Sequence, residues 1–125
     1  MVVIIGIPNA GKTTYSRRYD GVVHYDDLNL TTRQRYEHFN ALAKQGNAVF
    51  EGVFGSKNRR VELVASCPEG EKKVCVWLDT SLTVCLERER TGRMRGDHIV
   101  LSHARTFEPP TYDEGWDEII IERTE

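Results

Sequence analysis

The chain has 125 residues, which is the length of a single domain. Hydrophobic residues make up 39% of it, charged residues 29%, and the formal net charge is −2. This balance is typical of a folded globular protein and argues against a broadly basic surface that coats nucleic acid, although it allows a local basic channel. The first apolar run, at 2–5, is far shorter than the ~20 residues of a membrane span and follows no cationic region. We therefore expect one cytoplasmic domain, residues 1–125, without membrane contact.

Short apolar strands alternate with helical patterns along the chain. The strands are predicted at 2–5, 21–25, 47–53, 72–78 and 118–121. The helices are predicted at about 12–19, at about 32–45 after Thr31, up to about 66 after Ser56, after the run Asp79 to Ser81, and after Asp97. Residues expected to face the core from the second and third helices are Tyr36, Phe39, Leu42, Ala43, Val61, Val64 and Ala65. The alternation predicts an α/β fold, a parallel sheet with helices on both faces, whose ligands bind at the carboxyl ends of the strands.

The three cysteines of the chain show no CxxC pair. Cys75 and Cys85 lie in apolar patterns, which favours buried reduced thiols over metal ligands or nucleophiles. The four histidines show no metal-ligand spacing either. The cysteines and histidines therefore do not indicate a metal site.

The segment GIPNAGKTT, residues 6–14, lies between the first predicted strand and the first predicted helix. Gly6, Gly11, Lys12 and Thr13 fit the P-loop pattern in the context that it requires. Its glycines let backbone N–H groups converge on a phosphate, and the helix N-terminus adds partial positive charge. We expect Lys12 to reach the β- and γ-phosphates of ATP and Thr13 to bind Mg²⁺. The expected nucleotide-binding residues are Pro8, Asn9, Ala10, Gly11, Lys12, Thr13 and Thr14.

Carboxylates follow the next two predicted strands. Asp26 and Asp27 come after the second strand, where a carboxylate can accept a proton from an attacking hydroxyl, or simply cap a turn. We expect only one of the two to be the base, because adjacent side chains point in different directions. Glu51 follows the third strand, a position suited to holding a Mg²⁺-bound water or to a structural role.

Four arginines cluster around Gly92 in the segment RERTGRMR: Arg88, Arg90, Arg93 and Arg95. Such a cluster suits a mobile lid that closes on a triphosphate and neutralises charge in the transition state. A solvated helix end is the alternative. Arg93 and Arg88 are the candidates for phosphate contact.

A second basic group, Lys57, Arg59 and Arg60, follows the strand that ends near Glu51. These side chains are placed to contact acceptor phosphates. A solvated helix start explains them equally well. The sequence leaves both interpretations open.

Taken together, the P-loop, the HYDDL element, the segment CLERERTGRMRGDHIV and the tail FEPPTYDEGWDEIII resemble the kinase domain of the polynucleotide kinases. More broadly, they resemble the small P-loop kinases. The tail is the most specific piece of this likeness and consists of Phe107, Pro110, Glu114, Gly115, Trp116 and Ile119.

The resemblance implies a kinase-type P-loop fold of five parallel strands with the P-loop strand in the centre, plus an arginine-rich lid. It also implies Mg²⁺-dependent transfer of the ATP γ-phosphate to the 5′-hydroxyl of single-stranded DNA or RNA. Lys12 and Thr13 would then bind ATP and metal, Asp26 would be the general base, and Arg93 would contact the β- and γ-phosphates. The chain departs from its relatives at Glu51, where aspartate is usual, and at Asn29, where some carry arginine.

Three functions follow as alternatives. The first is a polynucleotide 5′-hydroxyl kinase. The second is a P-loop kinase for a small hydroxyl compound such as a nucleoside, sugar or antibiotic, which the short stretch after Asn29 and the acidic net charge favour. The third is a non-catalytic nucleotide-binding module.

Overall fold

A computed structural model describes residues 1–124. Within them, five parallel strands form one sheet in the order β2-β3-β1-β4-β5. The strands are β1 (Val2–Ile5), β2 (Val23–His24), β3 (Val49–Glu51), β4 (Val74–Thr80) and β5 (Glu118–Thr124). The helices are α1 (Lys12–Ser16), α2 (Thr32–Gln45), α3 (Lys57–Ser66), α4 (Leu82–Arg88) and α5 (Asp97–Thr106). Two 3-10 turns (Tyr25–Asp27 and Tyr112–Glu114) and a π-helical turn (Glu89–Arg93) complete the described chain.

The central position of β1 follows from its residues. Strand β1 pairs with β3 on one side and β4 on the other, so its β-branched side chains are buried on both faces of the sheet. Val3 and Ile5 point to the face covered by α2 and α3, where they pack in one core with Phe39. Ile4 points to the opposite face and packs with Val100 of α5. The five-stranded sheet with the P-loop strand in its centre is therefore confirmed.

Several predicted boundaries shift. The first helix ends at Ser16 rather than at about 19, and the second strand shrinks from 21–25 to two residues that run into a 3-10 turn. The fourth strand runs two residues later than predicted, and the last strand continues to Thr124. Gly96, not Asp97, is the N-cap of α5, since Asp97 is the first helical residue.

Helix α3 buries different residues from those predicted. Val61 is 41% exposed and Ala65 is exposed, whereas Arg60 and Leu63 are buried. The prediction is wrong for Val61 and Ala65 because it placed the apolar stripe one residue too far along the helix. A hydrophobic pattern cannot identify Arg60 as a core residue, because arginine is charged.

The cysteines behave as predicted. Cys67, Cys75 and Cys85 are buried free thiols in the part of the chain that the structure describes. Burial raises the pKa of the Cys75 thiol to about 12, so this thiol stays protonated at neutral pH. Among residues 1–124, no helix is long and apolar enough to cross a membrane.

Candidate active site

A cleft of about 1530 Å³ opens at the carboxyl ends of the strands. All seven residues of the expected nucleotide-binding set, Pro8 to Thr14, line it. The carboxylates after β2 and β3 and three arginines of the lid region face the same space: Asp26, Asp27, Glu51, Arg88, Arg93 and Arg95. The structure therefore gathers residues separated by up to about 85 positions of sequence into one site, as expected for a parallel sheet.

The phosphate loop is held from three sides. Lys12 Nζ donates to the carbonyl oxygens of Gly6 and Ile7 at 2.8 and 2.9 Å. Thr80, at the end of β4, donates its hydroxyl to the carbonyl oxygen of Ala10 at 2.7 Å. Arg88 of α4 donates to the carbonyl oxygen of Asn9 at 2.8 Å. Because an ammonium group has three donors, Lys12 keeps one N–H for a phosphate oxygen while it spans its own loop.

Lys12 is 8% exposed, and this burial lowers its pKa to about 8. The nearby carboxylates of Glu51 and Asp26 oppose the lowering, and the Arg93 guanidinium adds to it. The effect of these charges on Lys12 places Glu51, Asp26 and Arg93 within electrostatic reach of its ammonium group. These four residues are the electrostatic centre of the cleft.

Asp26 and Asp27 lie in the 3-10 turn that follows β2, and both are exposed in the cleft. The tight turn presents both to the cleft, and the expectation that only one of them is the base stays a prediction. The carboxylate of Asp26 opposes the lowering of the Lys12 pKa, which favours Asp26 over Asp27 as the carboxylate nearer to the phosphate loop.

Glu51 is buried at the end of β3, and its Oε2 lies 2.9 Å from Nδ1 of His24. The adjacent Gly52 explains how the two strand ends come so close. A Cβ at Gly52 would lie 2.7 Å from Cβ of Tyr25, a separation that real side chains do not tolerate. Only glycine lets β3 approach the turn that carries Asp26.

Residues 1–124 contain no group of three His, Cys, Asp or Glu side chains that could cage a metal ion. Mg²⁺ does not require such a cage, because it usually keeps several waters and is bound by one or two protein groups plus substrate phosphates. The Thr13 hydroxyl, exposed in the cleft, and the Glu51 carboxylate fit that description. These are the two residues that would hold the ion.

The four arginines around Gly92 divide into two pairs. Arg88 and Arg93 line the cleft, and Arg93 is the one whose charge acts on Lys12. Arg90 turns away and makes a two-point ion pair with Asp97, at 3.2 and 2.7 Å. Arg95 lines the cleft, but its guanidinium forms an ion pair with the buried Glu89, with Nη2 2.7 Å from Oε1. Arg93 and Arg88 remain the phosphate candidates, as the sequence suggests.

The second basic group has no common role. Lys57 pairs with Asp113 at 2.9 Å. Arg59 pairs with Glu62 at 2.9 Å and lies over the Tyr36 ring, 3.5 Å from its centroid. Arg60 is fully buried, so it neither contacts acceptor phosphates nor belongs to a solvated helix start.

Arg60 explains the tail element. Its guanidinium donates to both carboxylate oxygens of Glu114, at 2.7 and 3.0 Å, and to the carbonyl oxygen of Phe54 at 2.7 Å. Trp116 Nε1 donates to the same carboxylate at 3.0 Å. Gly115 has φ 105°, and a Cβ there would lie 2.7 Å from Cγ1 of Val64. The tail is therefore a packing element that fastens the chain before β5 to α3 and to the loop after β3.

Sequence reasoning missed several residues of the cleft, among them His103. With Ile99 and Thr106, it lines the cleft from α5, and burial is the main cause of its lowered pKa. These three residues are spaced at i, i+4 and i+7, which is one face of a helix. That spacing is the signal that could have identified them.

A scan of family models and a search of curated proteins find no match to this sequence. Among solved structures, the chain is similar to a gluconokinase from Sinorhizobium meliloti 1021, with a TM-score of 0.66 and 18% identity over 98% of this chain and 81% of that one. It is also similar to a candidate kinase from Chloroflexus aurantiacus j-10-fl, with a TM-score of 0.64 and 17% identity over 98% of this chain and 84% of that one. The chain thus has the P-loop kinase fold, which confirms the predicted fold class. The finer likeness to polynucleotide kinases goes beyond what these neighbours support.

Proposed function

We propose that this protein is a P-loop kinase that transfers the γ-phosphate of ATP to a hydroxyl group of a small molecule. The observation that carries the proposal is the convergence of Lys12, Asp26 and Arg93 in one cleft, where the charges of Asp26 and Arg93 both act on the Lys12 ammonium group. Phosphoryl transfer needs little covalent chemistry from the protein. It needs positioning, a proton acceptor and positive charge around the γ-phosphate.

The proposed reaction proceeds in the cleft as follows. The backbone of the phosphate loop and Lys12 hold the β- and γ-phosphates. Asp26 accepts the proton of the acceptor hydroxyl while the oxygen of that hydroxyl forms a bond to the γ-phosphorus. The bond from the γ-phosphorus to the β–γ bridging oxygen breaks, and ADP leaves. Arg93 and Arg88 neutralise the charge on the transferred group. Thr13 and Glu51 would hold Mg²⁺, which would supply further charge neutralisation when bound.

A small acceptor is favoured over a polynucleotide by the charges beside Asp26. Lys57 pairs with Asp113 and does not line the cleft, and Arg60 is buried. Arg59, which pairs with Glu62, is therefore the one member of this group that offers charge in the cleft to a phosphodiester backbone. In the tail, which is the most specific likeness to polynucleotide kinases, Glu114, Gly115 and Trp116 pack within the protein and do not line the cleft. One of the structural neighbours is a gluconokinase, which adds to the case for a small hydroxyl compound.

Aromatic side chains beside Asp26 agree with that choice. Tyr25, Tyr36 and Phe54 are half-buried, line the cleft and lie close together, with Tyr25 5.5 Å from Phe54 and 6.5 Å from Tyr36 between ring centroids. Half-exposed rings of this kind suit the apolar face of a sugar or nucleoside.

Incubation with γ-labelled ATP and a panel of acceptors tests the proposal. The panel holds nucleosides, sugars, sugar acids, hydroxylated antibiotics and 5′-hydroxyl DNA and RNA oligonucleotides. We expect label in at least one small compound. Label confined to oligonucleotide ends would select the polynucleotide kinase instead, and tight ATP binding with no labelled product would select a binding module.

A further inference from the structure

Glu89 is a fully buried carboxylate at the joint between α4 and the π-helical turn, and no motif singles it out. Its side chain accepts a hydrogen bond from Nδ2 of Asn9 at 3.1 Å. It also accepts from Nη2 of Arg95 at 2.7 Å and from the backbone N–H of Arg95 at 2.6 Å. One buried side chain thus joins the phosphate loop to the far end of the lid.

A buried carboxylate is costly unless it is paired and hydrogen-bonded. The Arg95 guanidinium provides most of that pairing and lowers the pKa of Glu89 to about 2, so the group is ionised at neutral pH. The Asn9 amide adds a further donor. This arrangement is therefore a satisfied buried network, which is rigid when complete and fails when one member is removed.

The network around Glu89 holds both the phosphate loop, through Asn9, and the π-helical turn that carries Arg93. Asn9 sits in the left-handed region with φ 70°, and α4 holds it twice more, through the Cys85 carbonyl oxygen at 3.2 Å and through Arg88. On the other side, Arg93 lies inside the turn whose ends are Glu89 and Met94, where the Met94 N–H donates to the Glu89 carbonyl oxygen at 2.7 Å. The distance between the phosphate loop and Arg93 is therefore set through Glu89.

We propose that Glu89 is a positioning residue that couples the lid arginines to the phosphate loop through Asn9 and Arg95, and thereby sets the preference for ATP over ADP. The inference rests on the proposed kinase function, because it assigns Arg88 and Arg93 to the terminal phosphate. ADP lacks that phosphate, so its binding depends on the loop alone.

The test measures the affinities of ATP and ADP, without any acceptor, for wild type and Glu89→Gln. Glutamine keeps the size of the side chain, removes its charge and turns an NH₂ group toward the donors of Asn9 and Arg95. We expect ATP binding to weaken about tenfold, as for loss of a charge-assisted hydrogen bond, and ADP binding to change less than about twofold. Glu89→Asp, which keeps the charge, should recover part of the ATP affinity.

Two further variants keep the test decisive. Asn9→Gly removes only the amide and tolerates the positive φ, so it should fold and lower ATP affinity about threefold, whether or not Glu89→Gln folds. Arg90→Gln removes an exposed ion pair of the same turn and should leave both affinities unchanged. Unchanged ATP affinity in Asn9→Gly, or an equal loss of ATP and ADP affinity in Glu89→Gln, overturns the proposal. Since no acceptor is present, a failure of this inference is distinguishable from a failure of phosphate transfer to an acceptor.

Discussion

At the scale of single residues, the cleft sets the charge state of Lys12. Its pKa of about 8 in the free protein lies well below that of a lysine in water, because burial disfavours the ammonium form. Bound phosphates favour the ammonium form and restore its proton. Lys12 is therefore a residue whose protonation depends on the nucleotide.

We predict that ATP binding at pH 9 takes up nearly one proton, and about a tenth of a proton at pH 7. The sign follows from the lowered pKa: above pH 8 the free protein has lost this proton, so ATP affinity falls as the pH rises further. Calorimetric titration in buffers of different ionisation enthalpy measures the uptake. Lys12→Arg, which stays charged, is the matched control and should show no such uptake at pH 9. Equal proton uptake by wild type and Lys12→Arg would refute the assignment.

Asp26 carries the proposed proton transfer. Asp26→Asn keeps the shape of the side chain but cannot accept the proton, so we expect kcat to fall by about 10²–10⁴ with ATP affinity nearly unchanged. Steady-state kinetics with the acceptor identified by the panel, together with ATP titration, measure both effects. Asp27→Asn is the neighbouring comparison and should lose much less activity. A larger loss in Asp27→Asn would transfer the role of base to that residue.

At the scale of elements, the buried pair of Arg60 and Glu114 holds the cleft together from outside it. Arg60 links α3 to the turn before β5 and also holds the Phe54 carbonyl oxygen. Phe54 belongs to the loop that lines the acceptor side of the cleft. Burial alone would raise the pKa of Glu114, but the hydrogen bonds from Arg60 and Trp116 outweigh it and leave that pKa lowered, so the pair is ionic.

We predict that Arg60→Met lowers the free energy of unfolding by about 3–5 kcal/mol, because it leaves a buried carboxylate without its partner. The double variant Arg60→Met, Glu114→Leu should recover most of that loss. Lys57→Ala removes the exposed pair with Asp113 on the same helix and should cost less than about 1 kcal/mol. Urea unfolding followed by circular dichroism measures all three. A similar cost for Arg60→Met and Lys57→Ala would show that the buried pair does not stabilise the fold.

The phosphate loop and the buried supports of the cleft differ in how far the sequence predicts them. The phosphate loop was predictable, because its glycines, Lys12 and Thr13 lie within eight consecutive positions and act through local backbone geometry. Arg60 and Glu114 are separated by 54 positions, and neither is apolar, so no periodicity points to their contact. No sequence pattern marks Glu89 either, since its burial depends on how α4 packs against the phosphate loop. Local patterns thus revealed the nucleotide side, whereas the supports of the site required tertiary structure.

At the scale of the whole molecule, the proposed donor and acceptor sides meet at the carboxyl ends of the parallel strands. The donor side consists of the phosphate loop after β1 and the arginines around the π-helical turn, and the acceptor side follows β2 and β3. The neighbours of known structure extend beyond the part that this chain matches, which covers 81% and 84% of them.

The most direct measurement follows the γ-phosphate of ATP by ³¹P NMR in the presence of the protein, Mg²⁺ and a mixture of small hydroxyl compounds. We predict a new phosphate monoester resonance that grows as the ATP signals are replaced by those of ADP. The monoester should be absent with Asp26→Asn. Formation of inorganic phosphate alone, at the same rate with and without the hydroxyl compounds, would contradict the account, because water rather than a bound hydroxyl would then be the acceptor.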